Sequence, residues 1–163
     1  MSAFLRASPD DLYPIRDMSD ATIARAKISE AAGPQISYLR VKGKPVLTHW
    51  MEVQDYYISN LAKKPIEYVM VLCPDRQNRL IIDETVNQTS VYRREIINLI
   101  LRHLTHAVIF VRNHPGAETK PSRADIEVSK DIKKVLALMC IALHDHPIVA
   151  GASCVSLKSL GHL

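Results

Sequence analysis

The sequence predicts an α/β domain, a mixed β-sheet flanked by helices. Three observations predict it. Two short apolar runs, EYVMVLC at 67–73 and HAVIFV at 106–111, have the length and β-branched composition of strands. Two longer segments, REIINLILRHL and SRADIEVSKDIKKVLALM, carry apolar residues at helical spacing. The two kinds alternate along the chain, as they do where helices cover a sheet.

Each element follows in order. Residues 1–18 are polar and Pro-bearing and are expected to lack fixed structure. SDATIARAKISEA (19–31) has a helix pattern with Ser19 or Asp20 as its cap, and Gly33-Pro34 is expected to end it. After Pro45, THWMEVQDYYISNLAKK predicts a second helix, with Thr48 as cap and Met51, Tyr56, Ile58 and Leu61 on its apolar side. EYVMVLC, the turn composition PDRQN and RLIIDETV read as a β-hairpin. The helix at 94–104 places Ile96, Ile97, Leu99, Ile100 and Leu104 on one broad face. HAVIFV is apolar on both faces, which predicts a central strand. SRADIEVSKDIKKVLALM predicts the longest helix, with Ile126, Ile132, Val135 and Leu136 toward the core, and IALHDHPIVAG and SCVSL predict two closing strands. Residues 1–43 read as a partly helical N-terminal extension and 44–163 as the domain proper.

Composition sets the bounds. The chain has 163 residues, 47% hydrophobic and 23% charged, which suits one soluble domain with its own core. Net charge is +4 and the pI is near 9.0, but no run of five Lys or Arg occurs, so an acidic partner is permitted and not demanded. Cys73, Cys140 and Cys154 are odd in number and lack C-x-x-C spacing, which speaks for reduced thiols in a cytoplasm. The N-terminus lacks the apolar region of a secretory signal. The run VLALMCIAL at 135–143 is too short to span a bilayer, so no membrane partner is expected.

The stretch FVRNHPGAETKPSRADIEVS at 110–129 carries the chemistry. Its plain reading is structural. Ser122 can cap the helix that follows, Asp125 sits three residues on, where the helix dipole favours an anion, and Asn113-His114-Pro115-Gly116 is turn composition. A second reading adds the neighbours. Positions 112 and 114 share one side of an extended backbone, the helix start would bring Asp125 near His114, and Glu67 opens the first hairpin strand.

These residues resemble the JAMM motif of MPN (JAB) metalloprotease domains: Glu, His-x-His, seven residues, Ser, two residues, Asp. The blocks NRLIIDETVNQTSVYRREI, AVIFVRNHPGAETKPSRADIEVS, HDHPIVAG and SLKSLGHL, with GKPVLTHW upstream, are similar in order to those of the bacterial RadC family. The resemblance covers residues from about 44 to 163. It implies the MPN fold, similar in architecture to cytidine deaminases, and a zinc-dependent peptidase-like (hydrolase) site. Carried over by position, Glu67 falls on the general acid/base, Ser122 on the oxyanion-holding hydroxyl, and His114 and Asp125 on two zinc ligands. Arg112 stands at the first His ligand. Gly116-Ala117 replaces the family's Ser-Gly, and Arg93 replaces a Pro. Upstream, only EAAGPQ stands where the family carries a helix-hairpin-helix region, so a DNA-binding hairpin is not carried over.

Arg112 decides the expectation. A catalytic zinc uses three protein ligands and keeps a fourth position for water. A guanidinium has donors only and stays charged, so it cannot ligate. It can instead pair with Asp125 or Glu67. Of the other histidines, His106 lies six residues back along the strand and His103 sits at a helix end; His144 and His146 flank Asp145 on a later strand, where the family resemblance implies a DH pair without zinc, and a buried imidazole bonded to its neighbours is expected there. Zinc is therefore the implied cofactor, with weak or absent binding. Three functions compete. The first is a degenerate JAB domain, weakly active or inactive, that serves as a scaffold for a peptide or protein partner. The second is an active zinc (iso)peptidase with non-standard ligation. The third is a DNA-repair-associated nucleic-acid-binding protein, whose support is the pI; Lys63, Lys64, Arg93 and Arg94 are scattered, as on a solvated face.

Overall fold

A computed structural model describes residue 12 and residues 19–87, 92–116 and 118–163. The expectation for 1–18 lies outside the described residues except at Leu12, which is helical and buried, against that expectation. Ala117 also lies outside them.

Ser19 caps the first helix, α1 (Asp20–Val41), accepting from the Thr22 N–H at 3.3 Å. The helix does not stop at Gly33-Pro34 but runs on for 22 residues, and it is longer than the helix at 123–138. Pro34 removes one N–H and leaves the Glu30 carbonyl without its helical donor, at a cost of about 3 kcal/mol. Packing beyond the break offsets that cost: Val41 is buried in the core, and Tyr38 packs on it with its ring 5.8 Å from that of Tyr56.

In α2 (Trp50–Leu61) the buried face is Val53, Tyr56, Tyr57 and Leu61, while Met51 is exposed. Thr48 does not cap this helix. His49 holds the cap position without a side-chain bond, and the Thr48 hydroxyl donates back to the Pro45 carbonyl. Strands β1 (Tyr68–Pro74) and β2 (Leu80–Asn87) form the expected hairpin. Its turn is fixed by Asp75, whose carboxylate accepts the N–H groups of Gln77 and Arg79. Helix α3 (Tyr92–Arg102) ends before Leu104, which has positive φ and lies exposed, off the apolar face expected to include it.

Strand β3 (Ala107–Asn113) is central. It pairs antiparallel with β1 on one side and parallel with β4 (Ala142–Asp145) and β5 (Pro147–Ala150) on the other. IALHDHPIVAG thus makes two strands and not one, because the ladder breaks at His146, before Pro147. β6 (Ser153–Ser156) closes the order β2-β1-β3-β5-β6.

The sheet is covered on both faces. Met70, Leu72, Ile109 and Val111 meet α2 and the end of α1. Val69, Val71, Val108 and Phe110 meet α3 and α4 (Arg123–Leu138). Each strand sends alternate residues to alternate faces. The buried stripe of α4 is Asp125, Ser129, Ile132 and Leu136; Ile126 is only half-buried and Val135 is exposed. The helix is therefore rotated from the all-apolar face expected of it, and its first turn presents polar side chains to the end of β3.

Candidate functional site

The pairing of β1 with β3 sets the geometry. Val69 faces Arg112, and continuing that register by two residues puts Glu67 beside His114. Arg112 has the parity of Val108 and Phe110, so it points to the α4 side, where the capped helix begins.

The start of α4 is a complete capping box. The Ser122 hydroxyl accepts the Asp125 N–H at 3.1 Å, and the Asp125 carboxylate accepts the Ser122 N–H at 2.8 Å. The same Asp125 oxygen also accepts the Ser122 hydroxyl at 2.6 Å. This holds the carboxylate, fully buried, at the end of β3.

Arg112 bridges two carboxylates. Its Nη2 lies 2.6 Å from Glu67 Oε2 and its Nη1 2.7 Å from Asp125 Oδ1. The second contact is close but not aligned, for Asp125 Oδ1 has no hydrogen bond of good geometry; it acts as a charge pair. Burial pushes the Asp125 carboxyl up, but the Ser122 hydrogen bonds, with the nearby charge of Arg112 and His114, outweigh it and hold the group below its ordinary range. His114 is fixed by its backbone N–H to the Val149 carbonyl at 2.8 Å. Its ring spans from the Glu118 carbonyl, 3.2 Å from Nδ1, to Asp125 Oδ2, 3.3 Å from Nε2. Glu67, Arg112, His114, Ser122 and Asp125 thus come together as one cluster. Among the described residues His103 stands instead 4.0 Å from Glu84, and His144 bonds Asn78, at the far end of the hairpin.

Four further residues support the cluster. Asn113, between Arg112 and His114 and facing the other way, is buried. Its Oδ1 accepts the Tyr68 N–H at 2.6 Å and its Nδ2 donates to the Ile66 carbonyl at 3.0 Å, which ties down the segment bearing Glu67. Ser129 donates to the Asp125 carbonyl and meets His146 Nδ1, each at 2.5 Å, so His146 braces the first turns of α4 from behind. Burial lowers the His146 pKa to about 4, and its Nε2 has no partner among the described residues. Asp145 accepts the N–H groups of His146 and Lys158. The sequence signal for Ser129 was a polar residue four places after Asp125, on a stripe that turns apolar only at Ile132 and Leu136; Asn113 was legible only as turn composition.

Comparison with known proteins gives the same assignment. The RadC-like JAB domain family matches residues 47–162. A UPF0758 protein of Rhodobacter capsulatus is 34% identical over 98% of this chain and 77% of its own length. A UPF0758 protein of Ruegeria pomeroyi is 31% identical over 98% of this chain and 73% of its own length. With its mixed sheet, its flanking helices and a match over most of its length, the chain belongs to the RadC-like JAB domain family.

Proposed function

We propose that this chain is a JAB domain in which Arg112 supplies, as a fixed side-chain charge, what a metal ion supplies elsewhere in the family. It acts as a binding scaffold for a peptide or protein partner, with little or no peptidase activity. The observation that carries this reading is the guanidinium lying between Glu67 and Asp125. As they stand, the residues do not fit a zinc ion. A ligand must offer a lone pair, yet Asp125 Oδ1 faces Nη1 and Oδ2 already takes two donors from Ser122. The His114 ring nitrogens face acceptor oxygens on both sides, the Glu118 carbonyl and the Asp125 carboxylate. Adding a dication beside an arginine would also bring repulsion.

The gathering of Glu67, His114, Ser122 and Asp125 favours a second reading, an active zinc-dependent (iso)peptidase with non-standard ligation, in which Arg112 swings aside. Metal analysis of protein purified without a His tag separates the two. Zinc far below one per chain, unchanged by dialysis against zinc, is the expected result. Stoichiometric zinc overturns the scaffold reading. Among the described residues no helix is long and apolar enough to cross a membrane.

A further inference from the structure

The other face of the sheet carries a second polar site. Between α1, α2 and β2 lies a pocket of about 270 Å³, whose lining includes Pro34, Gln35, Tyr38, Tyr56, Asn60 and Asp83. Asp83 pairs with Leu72, whose side chain is on the α2 face, so the pocket and Arg112 lie on opposite sides of the sheet. We propose that this pocket binds a guanidinium or primary ammonium group, carried by an arginine or lysine side chain of a peptide or by a free small amine.

The lining is what such a cation needs. Asp83 is half-buried, its carboxylate accepts the Tyr56 hydroxyl, and no cation pairs with it among the described residues. Burial raises its pKa by more than the Tyr56 hydrogen bond lowers it. The Asn60 carboxamide is oriented by its Nδ2, which donates to the Tyr56 carbonyl at 2.9 Å. Its Oδ1 then faces the other way, with no donor among the described residues. The rings of Tyr38 and Tyr56 stand at 47° to each other, forming an aromatic corner beside these oxygens. Tyr38 already receives a cation on its ring: the Lys42 ammonium lies 5.5 Å from its centroid, although Lys42 does not line the pocket. Acceptor oxygens and π faces together select a donor-rich, positively charged group and reject an anion. The volume is at the small end for ligand sites, the size of a side chain and not of a nucleotide. In α1 the Pro34 ring forms part of the wall, and it needs no N–H partner there.

The test is a titration of the full ¹⁵N-labelled chain, following the side-chain amides of Asn60 and Gln35. The probes are agmatine, a capped Gly-Arg-Gly peptide and the same peptide with citrulline, the neutral twin of arginine. We expect saturable shifts with agmatine and the Arg peptide at dissociation constants on the order of 1 mM, at least tenfold weaker for citrulline. Agmatine and the Arg peptide binding alike identifies the side-chain group as sufficient; a peptide at least fivefold tighter identifies a chain as the source. Asp83→Asn should weaken binding about tenfold. Asn60→Lys, at a half-buried position away from the core, should abolish it while the remaining amide spectrum keeps its dispersion. Absence of saturable shifts at about 20 mM, equal binding of citrulline, or full binding to folded Asn60→Lys overturns the proposal. None of these outcomes depends on metal or on Arg112.

Discussion

Arg112 Nη1 stands 2.7 Å from Asp125 Oδ1, across the gap between the end of the central strand and the first turn of α4. Oδ2 is held by Ser122 and faces the His114 ring, so Arg112 is what faces the other oxygen of this buried carboxylate.

Removing that side chain should therefore cost more than its surface area suggests. Arg112→Ala leaves the fully buried Asp125 with only the Ser122 donors and the His114 ring 3.3 Å away, and breaking such a pair destabilises by about 3 kcal/mol, the low end of the usual range because these neighbours remain and the Glu67 end is partly solvated. A urea midpoint unchanged from the parent protein would contradict the pairing.

Arg112→His tests whether the scaffold is still intact. It removes the guanidinium, releases Asp125 Oδ1 and places an imidazole on the same side of the strand end as His114. The variant should purify with close to one zinc per chain, and added zinc should raise its melting temperature, since a ligand that binds only the folded state stabilises it. Metal-free variant protein would place a further fault in the loop at 115–121.

Ser122→Ala removes the hydroxyl that caps α4 and donates to Asp125. Stability should fall by roughly 0.5–2 kcal/mol in denaturant. The Asp125 pKa should rise toward its ordinary value, followed by NMR of its carboxyl carbon, because the leading cause of its lowering is gone.

His146 sets an acid limb. Burial holds its folded pKa near 4, against 6.5 for the exposed ring. The unfolded chain thus binds the extra proton first, and stability falls as pH drops through the window from 6.5 to about 4. Burial lowers His144 also, which adds to the slope in the same direction. Asp125 acts lower down: its folded pKa is depressed, so its contribution is full above the unfolded value of 3.8 and is lost as pH falls below it. His146→Phe should flatten the stability profile between pH 4 and 6.5 while leaving the limb below it in place.

Most of the fold was legible because strand and helix differ in period. The hairpin at 68–87, the central strand and the capped helix at 123 follow from alternation, β-branching and Ser-x-x-Asp spacing. The misreadings have local causes. Pro34 and Gly33 signal a stop, but tertiary contacts of Tyr38 and Val41 carry the helix past it. The face of α4 was drawn through Ile126 and Val135, while the buried stripe runs through Asp125 and Ser129, because their polar groups find partners in Ser122 and His146. The cluster itself could be placed from parity and family spacing. Of its braces, His146 was expected as a buried imidazole bonded to its neighbours and is one, but its partner Ser129 and the role of Asn113 rest on hydroxyl and backbone contacts that no spacing announces.

The reciprocal bonds between Ser122 and Asp125 also bear on how related chains should be sorted. Either residue, if replaced, unties the first turn of a core helix, whether or not any chemistry occurs nearby. Folding alone is enough to keep that pair. A search that scores Ser-x-x-Asp as a hallmark of hydrolysis would accept any chain that needs this helix start, whether or not it hydrolyses anything. Arg112, by contrast, meets both Glu67 and Asp125, so under the scaffold reading proposed above the residue at that position is a sharper criterion than the half of the signature that the fold defends.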